Sequence, residues 1–241
     1  MSPSTKYQLH YFGHHGVAMT IRALLCLGGA DWAPKVEIFE GWATIKHSSS
    51  PFGTLPILNV FKESGEVLEI PESLAIERYL AKTFGMVGST EAEQIQVDVV
   101  LSLHTSLSAF WIHRVLRAAA EVTPKGHVEL KASKLPTWIA NCEKVVMKNG
   151  SNGHFVGDKF TYADVYASTL MDTILAAEGV EDVLNEKTAP NLFAVKRKVD
   201  SHPSYLAFRK SDEFSGMSRL LEAYASRKHF PFDMKKSHIV G

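Results

Sequence analysis

Apolar residues follow two different rhythms along this chain, and the change comes near Gly88. Upstream, short aromatic or branched runs alternate with helical ones. Tyr7 to Phe12 reads as a strand that Gly13 and Gly16 end. Ala18, Ile21, Leu24 and Leu25 then recur at helical spacing, and Gly28-Gly29 closes that helix as a C-cap does. Val36 to Phe39, Leu55 to Phe61 and Val67 to Ile70 predict further strands, the last two joined by the hairpin turn Glu63-Ser64-Gly65-Glu66. Ser73 to Phe84 returns to helical period through Leu74, Ile76, Leu80 and Ala81. The order predicts a small α/β domain over residues 1–84.

Residues 85–90 then read as a linker, and residues 91–241 as an all-helical domain. Glu91 to Ala120, Val128 to Lys148 and Thr161 to Ala177 carry apolar residues at helical spacing. Asn191 to Ser201 and Ser204 to Lys210 predict shorter helices, and Met217 to Tyr224 one more before a basic, aromatic tail. No strand signal interrupts this half.

With 241 residues and 45% hydrophobic content, the chain can bury two modest cores. Basic and acidic residues balance at 26 each, which argues against a nucleic-acid partner. The apolar runs fall short of the roughly 18 residues a membrane span needs. The polar start, Met1 to Tyr7, lacks the apolar core of a secretion signal. Cys26 and Cys142 sit far apart in apolar periodic segments and are expected as buried free thiols. The composition points to a cytoplasmic protein that engages neither nucleic acid nor membrane.

Two segments carry chemistry. In Pro51-Phe52-Gly53-Thr54-Leu55-Pro56-Ile57-Leu58, a proline opens a strand, where it cannot donate to the ladder. A cis Leu55-Pro56 bond there turns the N–H and C=O of Leu55 outward, available to an extended peptide; an ordinary loop-to-strand entry is the plainer reading. In Ile70-Pro71-Glu72-Ser73-Leu74-Ala75-Ile76, Glu72 and Ser73 stand at a helix start, where free N–H groups and the helix dipole favour an anion such as a carboxylate. Simple capping of an amphipathic helix is the competing explanation. A third segment, Thr161-Tyr162-Ala163-Asp164, is a capping box that starts a core helix and is assigned no catalysis.

Together these segments resemble the cytosolic glutathione transferase family, over nearly the whole chain from Tyr7 to about Arg209, and within it the sigma class. Tyr11-Phe12 with Gly16, Ala18 and Ile21-Arg22 is similar to that family's first strand and helix. Gly41-Trp42-Ala43-Thr44-Ile45-Lys46 is similar to its short second helix, Pro51 to Leu58 to its cis-proline segment, and Glu72 to Ile76 to its helix-start motif. Glu93 to Asp98 is similar to the start of its long second-domain helix. The resemblance implies α/β plus all-α architecture: an N-terminal thioredoxin-like domain that binds glutathione, then a C-terminal helical-bundle domain that supplies most of the electrophile pocket.

It also implies roles. Tyr11 corresponds to the tyrosine that donates to the glutathione sulfur, ahead of its upstream rival Tyr7. Trp42 and Lys46 correspond to contacts with the glycine end, Lys46 facing its carboxylate. Leu55, before Pro56, corresponds to the residue whose backbone pairs with the cysteinyl part. Glu72 and Ser73 correspond to the holders of the γ-glutamyl group, and Asp98 to an acid reaching across a homodimer interface. The implied activity is tyrosine-type conjugation of glutathione to small hydrophobic electrophiles, as in detoxification, with peroxidase or isomerase activity besides. Glutathione serves as co-substrate and no cofactor is implied.

The departures matter as well. His15 stands where many tyrosine-type members have Arg, which places a titratable group rather than a fixed charge in the expected thiolate environment. That leaves room for the alternative of a non-catalytic glutathione- or ligand-binding scaffold. A thiol-disulfide oxidoreductase needs a nucleophilic Cys near residues 13 to 17, and the sequence has none there. His10, His14 and His15 form a local cluster without a completing Cys or carboxylate, so no metal site is expected. The tail residues Phe230 and Phe232 are candidates to pack over the electrophile pocket.

Overall fold

Alternation in β1 (Lys6–Phe12) puts Tyr7, Leu9 and Tyr11 on one buried face, and by its C-terminal end both faces are covered. That double burial follows from its place inside a sheet of order β2-β1-β3-β4. β2 (Asp31–Glu37) runs parallel to β1, whereas β3 (Ile57–Phe61) and β4 (Val67–Pro71) continue antiparallel. The structure is a computed structural model and describes residues 5–38, 41–118 and 121–225, with side chains as far as Arg219. The candidate tail contacts of Phe230 and Phe232 lie outside the described residues.

β2 begins at Asp31, well before the Val36 expected from apolar pattern, and Phe39 falls outside the described residues. Asp31, Pro34 and Lys35 are weak strand formers, but an edge strand tolerates them because one side needs no ladder bonds. β3 likewise starts after the proline, at Ile57, because Pro56 has no N–H to give.

A single 3-10 turn (Gly16–Ala18) leads into α1 (Met19–Leu27), in which every residue is buried. This helix lies between the sheet and the second domain, packing on α3 (Ser73–Thr83) and on α7 (Tyr162–Leu175). Short α2 (Trp42–Ser49) follows β2. Cys26 on α1 and Cys142 are buried free thiols.

The helical half starts at α4 (Glu91–Phe110), whose Thr90 cap accepts from the Glu93 N–H at 3.2 Å. α4 runs on into a π-helical stretch (Trp111–Leu116) and stops short of the Ala120 predicted from periodicity. The continuous helix Glu91–Leu116 is long and apolar enough to cross a membrane by length and composition, which the sequence reading did not anticipate. Of its apolar residues, Val97, Val100, Leu107, Trp111 and Val115 are buried where α4 packs on α6 (Leu135–Lys148) and α7, while Ile95 and Val99 are exposed.

The segment predicted as one helix from Val128 divides into α5 (Thr123–Glu129), a second π-helical stretch (Leu130–Lys134) and α6. α7 is the core helix, and its capping box forms as predicted from Thr161 and Asp164. α8 (Pro190–Asp200), α9 (Pro203–Arg209) and α10 (Asp212–Ala225) are the last helices among the described residues. α9 returns to the first domain, where Phe208 meets Trp32 of β2 edge-on at 5.7 Å.

Candidate active site

Sheet register determines which residues meet. His10, Ile57 and Pro71 are successive partners across β1, β3 and β4. Tyr11, Leu55-Pro56 and Glu72-Ser73 therefore all lie just beyond one row, at the end of the sheet where α1 and α3 begin. Leu55 is outside the ladder, its main chain unclaimed by β1, and the Leu55-Pro56 bond is cis. Thr54 ties this segment to the next by donating from its hydroxyl to the Glu72 carboxylate at 3.4 Å.

Glu72 precedes α3 with φ 71° and ψ 119°, a backbone state that costs a non-glycine residue roughly 1–3 kcal/mol. No side chain caps this helix, so the N–H groups of its first turn remain open to an anion, with the Ser73 hydroxyl beside them. Sequence reasoning put Glu72 at the helix start but gave no sign of this strain.

Tyr11 is 3% exposed. Its hydroxyl oxygen accepts the Val17 N–H, and burial raises its pKa above the ordinary 10, with the charges of Arg117 and Arg22 pulling the other way. Gly16 makes this arrangement possible. At φ +43°, a Cβ there would come within 2.4 Å of the Tyr11 hydroxyl oxygen and 2.8 Å of His14 Nδ1. The His14 ring lies 5.3 Å from that of Tyr11 and stacks on Phe12. Burial first, then the two arginine charges, push it down to about 4, so it is uncharged near neutrality.

Trp42 opens α2 and is buried edge-on against Phe12 at 5.7 Å, the neighbour of Tyr11. Lys46 follows one turn later on the same helix face, half-buried and without an ion pair among the described residues. Asp98 is apart from this group, on an exposed face of α4 between Ile95 and Val99.

His15 departs most from expectation. It turns away from Tyr11 toward α10, where Nε2 pairs with Ser218 Oγ at 2.9 Å and the ring stands 4.3 Å from Phe214. Burial, then Arg22, lower it to about 3. His10 diverges again, to Glu37 at 2.9 Å, so the three histidines do not converge. Arg22, quoted in the sequence only as part of a motif, places its guanidinium 5.7 Å from the centre of the Tyr11 ring. The available signal was a lone arginine inside an otherwise apolar helix.

This is the layout of a two-domain protein with a thioredoxin-like sheet domain and an all-helical partner domain. The family model for the glutathione S-transferase C-terminal domain matches residues 111–212. A class-mu 28 kDa glutathione S-transferase of Schistosoma japonicum is 31% identical over 168 residues, 69% of this chain and 80% of that protein. The chain belongs to the cytosolic glutathione transferase family. S-crystallin 4 of Enteroctopus dofleini is 26% identical over 221 residues, 86% of this chain and 99% of that one. A sigma-class glutathione transferase of Fasciola hepatica shares the fold, with TM-score 0.74 and 24% identity over 85% of this chain and 95% of the other.

Proposed function

We propose that this chain conjugates the glutathione thiolate to small hydrophobic electrophiles in the cytoplasm, as a tyrosine-type, sigma-like enzyme with Tyr11 activating the thiol. The observation that carries the reading is the Tyr11 hydroxyl. Its oxygen accepts from Val17 N–H above the side-chain-free Gly16, which leaves its own proton to donate. A free thiol ionises near about 8.5, and lowering that by two units requires about 2.7 kcal/mol. One strong hydrogen bond together with nearby positive charge supplies that amount.

The remaining groups suit the ends of the tripeptide. The open first turn of α3 and the Ser73 hydroxyl suit the γ-glutamyl carboxylate, and Glu72 its ammonium. The Leu55 main chain, before cis Pro56, suits the cysteinyl amide, and Trp42 with Lys46 the glycine carboxylate. Glutathione is the co-substrate, with no further cofactor. Peroxide reduction and isomerisation draw on the same thiolate. A homodimer is supported by exposed apolar side chains on Phe52, Leu74, Ile95 and Val99, with Asp98 among them to reach a partner's glutathione.

A second reading, a non-catalytic glutathione-binding scaffold, is favoured by the deep burial of Tyr11. Turnover of an aryl halide separates the two. Tyr11→Phe is expected to lower kcat about 10- to 100-fold with glutathione affinity retained. Retention of the parent on immobilised glutathione without turnover of any electrophile establishes the scaffold instead.

A further inference from the structure

We propose that Lys198 is a modification site, acylated by small thioesters with His154 as the base that takes its proton. The site lies in the helical half, on α8, which packs against α6 and α7, and it shares no residue with the proposed glutathione site. Lys198 Nζ is 3.1 Å from His154 Nε2, and His154 Nδ1 is 3.3 Å from Asp164 Oδ2. A carboxylate oxygen only accepts, and an ammonium only donates. The imidazole between them therefore carries its proton on Nδ1 and presents the lone pair of Nε2 to the lysine.

Each member of this row is held in place. Asp164 is fully buried and accepts the N–H groups of Phe155 and Thr161. His154 is 4% exposed; its N–H donates to Asn152 Oδ1 and its carbonyl accepts from Asn149 Nδ2, both at 3.0 Å. Lys198 is exposed, yet its stem is seated on Gly153, where at φ +82° a Cβ would meet its Cδ and Cε at 2.9 Å. Fixing a long, mobile side chain at the surface costs entropy, and here the fixing delivers an amine to a buried imidazole. The capping of α7 explains Asp164 but not the pairing of His154 with Lys198.

The chemistry follows from the order of the groups. The neutral amine attacks the acyl carbon, forming the C–N bond while the carbonyl electron pair moves to oxygen. The new ammonium passes a proton to His154 Nε2, and Asp164 stabilises the resulting imidazolium through Nδ1–H. The oxyanion then re-forms the carbonyl, the C–S bond breaks and the thiolate leaves with its electron pair. The imidazolium returns its proton to water, so the products are an amide and a thiol. Thioesters are the matching donors, because a thiolate, whose conjugate acid ionises near about 8.5, leaves without a proton and one base suffices.

Incubation of the full chain with S-acetyl-N-acetylcysteamine, read by peptide mass spectrometry, tests this. Lys144 and Lys148, exposed on α6, serve as internal references. At about pH 8, Lys198 is expected to acetylate about tenfold faster than either. In His154→Gln, whose amide still accepts the lysine N–H but takes no proton, that ratio is expected to fall to about one. The parent supplies a second reading through pH. The titratable groups around His154 are Asp164 of α7, Lys198 of α8 and, across the Phe160 ring, His202 before α9. From about pH 8 to about pH 5.5 the ratio is expected to drop about fivefold, since an imidazolium, formed near about 6.5, accepts no proton. Equal rates at the three lysines overturn the proposal, as does an unchanged ratio in a folded His154→Gln variant. A ratio that stays flat across that pH range overturns it even if the Gln variant fails to fold.

Discussion

Glu77 of α3 accepts the hydroxyl proton of Tyr162 on α7, so a buried carboxyl and a buried phenol are joined across the two domains. Burial pushes the Glu77 carboxyl up to about 8, with the Tyr162 bond opposing only part of that. The group is therefore protonated in the folded state at neutral pH and ionised in the unfolded chain. A folded value raised above the unfolded one contributes stability that is complete below about 4.5 and lost as pH rises through about 8. The slope in that window is about 1.4 kcal/mol per pH unit. Glu77→Gln removes the titration and keeps an acceptor for Tyr162. It should come within about 1 kcal/mol of its parent at pH 5 and exceed it by up to about 4 kcal/mol at pH 8 in urea unfolding. Parallel stability curves across that range would show that Glu77 is not the titrating group.

Asp164 carries a larger structural load. Its carboxylate accepts from the backbone N–H of Phe155 and Thr161, both at 2.8 Å, and from the Thr161 hydroxyl at 3.2 Å. His154 Nδ1 adds a contact at 3.3 Å. Truncation strands buried backbone donors, each costing about 1–3 kcal/mol, and removes the cap of the core helix. Asp164→Ala is expected to lose about 3–4 kcal/mol. A loss below about 1 kcal/mol from the urea midpoint, at unchanged slope, would mean the loop before α7 re-pairs its donors on its own.

How much of this was legible in the sequence depends on range. The strand-helix order, the cis-proline segment, the start of α3 and the Thr161-Asp164 box are local patterns, and local chemistry sets them. β2 was misjudged because an edge position overrides residue propensity. The break of α4 into a π-helical stretch leaves no mark in apolar spacing. His15 illustrates the harder limit: its partner Ser218 is distant in sequence by 203 residues, so no neighbourhood of the chain reveals which way it turns. Arg22 was visible as a charge in an apolar helix, but only packing discloses that it faces Tyr11.

Gly16 should tolerate nothing larger than hydrogen. At φ +43°, a Cβ would press on the Tyr11 hydroxyl oxygen at 2.4 Å. Gly16→Ala is expected to shift the hydroxyl by a fraction of an ångström and lower kcat/KM for an aryl halide about 10- to 100-fold. Glutathione affinity, which draws on α2, Leu55 and α3, should fall far less. Equal losses in affinity and turnover would mean that the whole loop has collapsed rather than the hydroxyl moved.

The seat of α10 makes the last prediction. Phe214 lies between the His15 ring at 4.3 Å and the Arg209 guanidinium at 5.0 Å, with Phe208 edge-on at 5.5 Å. His15 is held to about 3 chiefly by burial, so it folds as the neutral imidazole. A folded value lowered from 6.5 contributes stability that is present above 6.5 and lost as pH falls toward 3, by about 1.4 kcal/mol per unit. Phe214→Ala opens a cavity beside the ring and is expected to lose about 3–5 kcal/mol at pH 7. It should also admit water to His15 and move its midpoint up toward 6.5, so the variant loses less on acidification than its parent. Proton NMR titration of the His15 ring reads the midpoint, and urea unfolding at pH 7 and 5 reads the slope. A midpoint still near 3 after removal of the Phe214 side chain would assign the burial of His15 to its own loop and to Arg22, and leave α10 without influence on it.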